Sequence, residues 1–129
     1  MTITLVANGT REDERFDSQS RLQSALSGVP KSVAAGDTLR YFVVLRNISS
    51  KPIALDPCPA YEEDLVLGNV YRSGARWLLN CAAAPTVIQP GASVRFAMEL
   101  QVPETGTGDA RLEWKAEFSS AAISVIKVT

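Results

Sequence analysis

Leu39-Arg40-Tyr41-Phe42-Val43-Val44-Leu45-Arg46 is the stretch whose reading decides the fold. Leu39, Tyr41, Val43 and Leu45 share one phase of a two-residue period, and arginines stand near both ends of the other phase. That is the pattern of a strand with one face turned to a core and one to water. The same period returns further along. Val94, Phe96, Met98, Leu100 and Val102 alternate with Arg95, Ala97, Glu99 and Gln101. A helix would scatter these five apolar residues around its circumference, whereas a half-buried strand places them on one face. A third run sets Ala110, Leu112, Trp114, Ala116 and Phe118 against Arg111, Glu113, Lys115 and Glu117, an outer face of alternating charge.

Weaker strand signals surround these three. Ala121 to Thr129 is rich in β-branched residues, and Ile3 to Val6, Ile53 to Leu55, Asp64 to Leu67 and Arg76 to Leu79 are short candidates. Turn chemistry separates them at Ser49-Ser50-Lys51-Pro52, Gly68-Asn69, Ser73-Gly74, Gln89-Pro90-Gly91 and Thr105-Gly106-Thr107-Gly108. The segments beginning at Val33 and Ile88 align without gaps, Gly36 on Gly91 and Arg40 on Arg95, which reads as two strands that each begin after a glycine turn. Residues 11–30 form the exception. They are polar, and Leu22 and Leu26 are spaced i, i+4, so a short helical turn or an irregular insertion fits equally. The expected architecture is an all-β antiparallel β-sandwich of about seven or eight strands, with one long N-terminal loop or short helix, in a single domain spanning 1–129.

Composition narrows the chemistry. Hydrophobic residues make up 46% of the 129 and charged residues 21%, which is a globular balance. Thirteen basic against fourteen acidic residues give a net charge of −1, which argues against a nucleic-acid partner held by a basic surface. The chain has no histidine, which excludes imidazole catalysis and the common zinc sites. No apolar run approaches the ~18 residues of a membrane span. The N-terminus lacks the features of a signal peptide, so the expectation is either a cytoplasmic protein or an excised domain to which Met1 was added.

Cys58 and Cys81 are the two cysteines. A disulfide, two buried thiols and one reactive thiol all compete. Cys58 lies between Pro57 and Pro59, in a stretch that cannot be sheet interior, and Cys81 follows the candidate strand at Leu78-Leu79. This arrangement favours a bridge that pins a stiff loop to the sheet, and such a bridge persists outside the cytosol. Asp56, Glu62, Glu63 and Asp64 cluster near Tyr61, but their spacing matches no calcium loop, and a solvated acidic loop is the simpler reading. No metal or other cofactor is expected. Tyr61 and Tyr71 fall in turn-rich stretches and are the candidates for exposed contact residues, with Trp77 beside them, while Trp114 sits on the apolar phase of its strand and belongs to the core. A sugar-stacking platform of these aromatics is the less favoured use. Asn8-Gly9-Thr10 and Asn47-Ile48-Ser49 match a glycosylation sequon, with turn chemistry the better explanation of both.

Gly36-Asp37-Thr38 followed by the alternating strand and Asn47-Ile48-Ser49-Ser50-Lys51-Pro52 resembles the opening of immunoglobulin-like modules on bacterial surfaces. Ile88 to Pro103 resembles a later strand of the same modules. Leu55-Asp56-Pro57-Cys58-Pro59-Ala60-Tyr61 with Leu78-Leu79-Asn80-Cys81 is similar to uncharacterised domains of secreted or membrane-anchored actinobacterial proteins. The likeness covers roughly residues 33–103, and the order of elements is also similar to bacterial proteinase-inhibitor sandwiches. The resemblance implies a non-catalytic, extracellular binding or spacer module that works beside a neighbouring domain or a protein partner. Asp56, Tyr61, Glu62, Glu63, Tyr71 and Trp77 are its candidate binding surface. A proteinase inhibitor presenting residues 56–60 and a structural subunit that self-associates through an edge strand are the alternatives.

Overall fold

Leu39, Tyr41, Val43 and Leu45 are buried as the alternation predicts, on a strand that runs from Thr38 to Asn47. A computed structural model of the chain describes residues 21–55, 58–68, 70–81, 87–117 and 119–129. Among these, the chain forms only strands as regular elements: β1 (Leu22–Ser27), β2 (Ser32–Val33), β3 (Thr38–Asn47), β4 (Ile53–Ala54), β5 (Ala60–Leu67), β6 (Val70–Leu78), β7 (Val87–Ile88), β8 (Ser93–Gln101), β9 (Gly108–Ala116) and β10 (Ala122–Val128). Seven of them have six or more residues, which matches the expected count, and β2, β4 and β7 are two-residue pieces.

One sheet has the order β1-β3-β8 and the facing sheet β2-β10-β9-β5-β6, with β4 and β7 forming a small ribbon. The pairings are antiparallel apart from β2 with β10. The two aligned segments are neighbours in one sheet, where Leu39 lies opposite Leu100. Each begins after a glycine in the left-handed region, Gly36 at φ 87° and Gly91 at φ 78°, so the shared pattern is a shared turn requirement. The core fills the space between the sheets with Leu39, Val43, Leu45, Leu65, Leu112, Trp114 and Ile126, each at most 1% exposed. Burying a side chain of this kind contributes about 1.5–3 kcal/mol.

Both sheets share a common end. Leu22 pairs with Asn47 in the first sheet, bridges to Ser119 after β9 and accepts from the Ser120 amide. The Asn47 end therefore gathers the turn after β3, the stretch before β5, the end of β6 and the β9–β10 connection.

Three expectations from the sequence are corrected by the fold. Residues 22–27 form a strand, so the reading of 11–30 as irregular or helical fails over that span, and residues 11–20 lie outside the described residues, as does the candidate strand Ile3 to Val6. Leu22, Ser24 and Leu26 occupy the inward phase; the serine disguises the period but its hydroxyl donates to the Ser120 carbonyl at 2.5 Å. Ser73-Gly74 is not a turn: it lies inside β6, with Gly74 opposite Asp64, and Leu67 is the residue paired with Val70 where β5 gives way to β6. The acidic stretch is not a loop either, because Glu62, Glu63 and Asp64 belong to β5.

Candidate functional site

The sulfurs of Cys58 and Cys81 are bonded, with the Cα atoms 5.9 Å apart. The bridge ties the stretch entering β5 to the stretch leaving β6, as the proline-flanked cysteine implied. Further bonds close the same corner. The Leu79 amide donates to the Pro59 carbonyl at 3.0 Å, and the Ala60 amide donates to the Glu117 carboxylate at 2.9 Å. Residues 58–60, the described part of the stiff loop, are thus held from both sides.

A shallow depression of about 180 Å³ opens beside this corner, lined by Ala60, Tyr61, Glu62, Arg76, Lys115 and Glu117 among others. Alternation along β5 and β9 sets its polar wall: Glu62 lies opposite both Arg76 and Lys115 on the outer face. Arg76 donates to Glu62 at 3.2 Å. Both groups are more than half exposed, so the pair contributes at most about 1 kcal/mol. Tyr61 points inward and stacks on Trp114, ring centroids 5.5 Å apart and planes inclined by 21°. Burial raises its phenol above the usual value, and the nearby Glu63 raises it further.

The structure separates the residues singled out from sequence. Glu62 and Tyr61 meet at the depression. Trp77 is opposite Tyr61 in register, on the edge strand of the five-stranded sheet, and is 59% exposed. Glu63 shares the inward phase of Tyr61, opposite to that of Glu62, and is 1% exposed within the sandwich, where the Tyr41 hydroxyl donates to its carboxylate at 2.6 Å. Tyr71 lies in β6, opposite Val66. Asp56 lies outside the described residues. Among the described residues no three histidine, cysteine, aspartate or glutamate side chains are placed to hold a metal ion.

Two features escaped the sequence reading. Exposed large apolar side chains collect at one end: Ile48, Trp77, Leu78 and Val87 all belong to the Asn47 end, and Ile123 and Val125 stand on the outer face of β10. Asn47 itself is wholly buried. Its amide nitrogen donates to the carbonyls of Lys51 at 2.7 Å and Ile88 at 2.8 Å, and its oxygen accepts from the amide of Ser49 at 2.9 Å and the Ser49 hydroxyl at 2.7 Å. Both amide hydrogens of this sequon asparagine are spent on the turn after β3 and on the β7 backbone, in keeping with its reading as turn chemistry. Asn8 lies outside the described residues.

No protein-family profile and no curated protein matches the chain. Solved structures do. The alkylpurine DNA glycosylase AlkC of Pseudomonas fluorescens matches over 84% of this chain, at 8% identity and a TM-score of 0.55, and the chain spans 30% of that enzyme's length. The CARDB domain of PF1109 from Pyrococcus furiosus matches 84% of this chain over 94% of its own length, at 12% identity and a TM-score of 0.53. AvmM, described as catalysing macrocyclisation in alchivemycin A biosynthesis, matches 84% of this chain over 89% of its own length, at 8% identity and a TM-score of 0.55. At these identities the likeness concerns the fold alone. The two-sheet order and these neighbours together make the chain an immunoglobulin-like β-sandwich.

Proposed function

We propose that the chain is a non-catalytic, extracellular binding module that engages a protein partner or a neighbouring domain through its Asn47 end. The observation that carries this reading is the grouping of Ile48, Trp77, Leu78 and Val87 at that end. Apolar side chains scattered singly over a surface are ordinary, but several at one end, next to a charged depression, mark a contact surface. The disulfide supports both halves of the proposal. It holds the β5–β6 corner rigid, which lowers the ordering cost of binding, and a bridge of this kind persists in an oxidising compartment. No helix among the described residues is long and apolar enough to cross a membrane. The absence of histidine from the whole chain and the engagement of Glu62 and Glu117 in local bonds favour binding over catalysis.

The test is photo-cross-linking from position 78 and, as a control, from position 23 on the outer face of β1, in the full protein within its native cells. A discrete protein adduct from position 78 and none from position 23 is expected, on material whose cysteines resist alkylation until reduced. A polysaccharide adduct moves the reading to carbohydrate binding. Equal or absent labelling at both positions, or two free thiols in the native protein, overturns it.

A further inference from the structure

Glu63 stands apart from every other carboxylate described. It lies on β5 in the five-stranded sheet and is 1% exposed; its hydrogen-bond donor, Tyr41, lies on β3 in the facing sheet and is 2% exposed. Among the described residues no lysine or arginine forms an ion pair with it. The groups that act on it are Tyr41 from β3, Glu99 from β8, which is itself paired with Arg40 of β3 on the exposed face, and Tyr61 and Asp64 from β5, with Trp114 opposite it on β9. A buried carboxylate without a cation is costly, and a single phenol offsets only part of that cost.

We propose that Glu63, buried between the two sheets and bonded to Tyr41, makes the sandwich pH-sensitive: the fold is most stable on the neutral carboxylic acid and loses stability as that acid ionises, because the Tyr41 bond offsets only part of the cost of the buried charge. The inference does not depend on the binding role. Burial pushes the Glu63 carboxyl up to about 7, the Tyr41 hydrogen bond opposes that rise, and Asp64 and Glu99 add to it. The folded state therefore retains a proton that the unfolded chain releases near 4.5. Stability is greatest below that value and falls as pH rises through the interval up to about 7. The interval is clean in this chain. With no histidine present, the α-amino group is the remaining group whose ordinary value lies between pH 6 and 8.

The experiment is urea unfolding at pH 5.5 and pH 8.0 of the wild type and Glu63→Gln, with a carbon-13 titration of the Glu63 carboxyl in the folded wild type. The wild-type unfolding constant is expected to rise roughly 30-fold between the two pH values. Glu63→Gln, which still accepts from Tyr41, is expected to change by less than about threefold. The carboxyl midpoint is expected near 7, and higher still in Tyr41→Phe, which removes the bond that favours the ionised form. A pH-independent wild type, a variant that reproduces the wild-type rise, or a midpoint below 5 overturns the proposal. The carboxyl titration of the wild type decides between these outcomes even if Glu63→Gln does not fold.

Discussion

Asn47→Ala removes one buried side chain and should cost more than its size implies. The amide makes four hydrogen bonds, two as donor to Lys51 and Ile88 and two as acceptor from Ser49. Alanine fills almost the same backbone space but leaves the buried Ile88 carbonyl without this donor, at about 1–3 kcal/mol. The bonds at Lys51 and Ser49 are nearer to water and contribute about 1 kcal/mol each. The expected loss is about 4 kcal/mol, a large share of the about 5–15 kcal/mol that holds a domain of this kind together. Asn47→Asp separates hydrogen bonding from shape. It keeps the acceptor for Ser49 but turns a carboxylate oxygen toward two carbonyls, so at neutral pH it should lose at least as much as alanine. Guanidinium unfolding followed by tryptophan emission measures both variants, because Trp114 is buried in the folded state. A loss below about 1 kcal/mol for Asn47→Ala, or a wild-type-like Asn47→Asp, would refute the view that this amide organises the end of the sandwich.

Replacing Cys58 and Cys81 together by serine opens a link across 23 residues and should cost about 3 kcal/mol. Wild type in reductant should unfold at the same guanidinium midpoint as this double variant. Gly28→Ala should cost about 1–2 kcal/mol, since φ is 68° and a Cβ there would stand 3.3 Å from the Phe42 ring. Gly91→Ala, at φ 78° with open space around it, should cost less, and thermal melts of the two variants side by side test that order. Glu99→Ala breaks the exposed 3.2 Å pair with Arg40 and should change stability by no more than about 0.5 kcal/mol in the same assay.

Periodicity reveals the elements with one wet face and one dry one. β3, β8 and β9 read correctly because their inward positions are apolar, apart from Asn47 at the last residue of β3, and the same pattern places Trp114 in the core. β1 and β5 are obscured by polar residues on the inward phase. The Ser24 hydroxyl donates to the Ser120 carbonyl, 96 positions later, and the Glu63 carboxylate accepts from Tyr41, 22 positions earlier. Partners that distant leave no local trace, so a buried serine or glutamate reads as solvent-facing until the sheets are stacked. Gly74 misleads in the same way, since an edge strand tolerates a glycine that sequence alone reads as a turn. The disulfide is legible because prolines on both sides of Cys58 remove it from any sheet interior. The apolar grouping at the Asn47 end is not, because Ile48, Leu78 and Val87 come together only when three separate connections share one end of the fold.

The parallel pairing of β2 with β10 has a mechanical consequence. Residue 21 lies at the Asn47 end and residue 129 at the opposite one, and both strands of the pair run in the same direction between them. Tension applied across residues 21 and 129 is therefore directed along the strands, with β1 bearing on β3 and β10 bearing on both β2 and β9. The bonds from the amides of Lys127 to Lys31, Thr129 to Val33 and Ala35 to Thr129 share the load at once, instead of opening one after another like a zip. Drawing β10 out along its own axis must break this seam together with the ladder of seven residue pairs that joins β10 to β9.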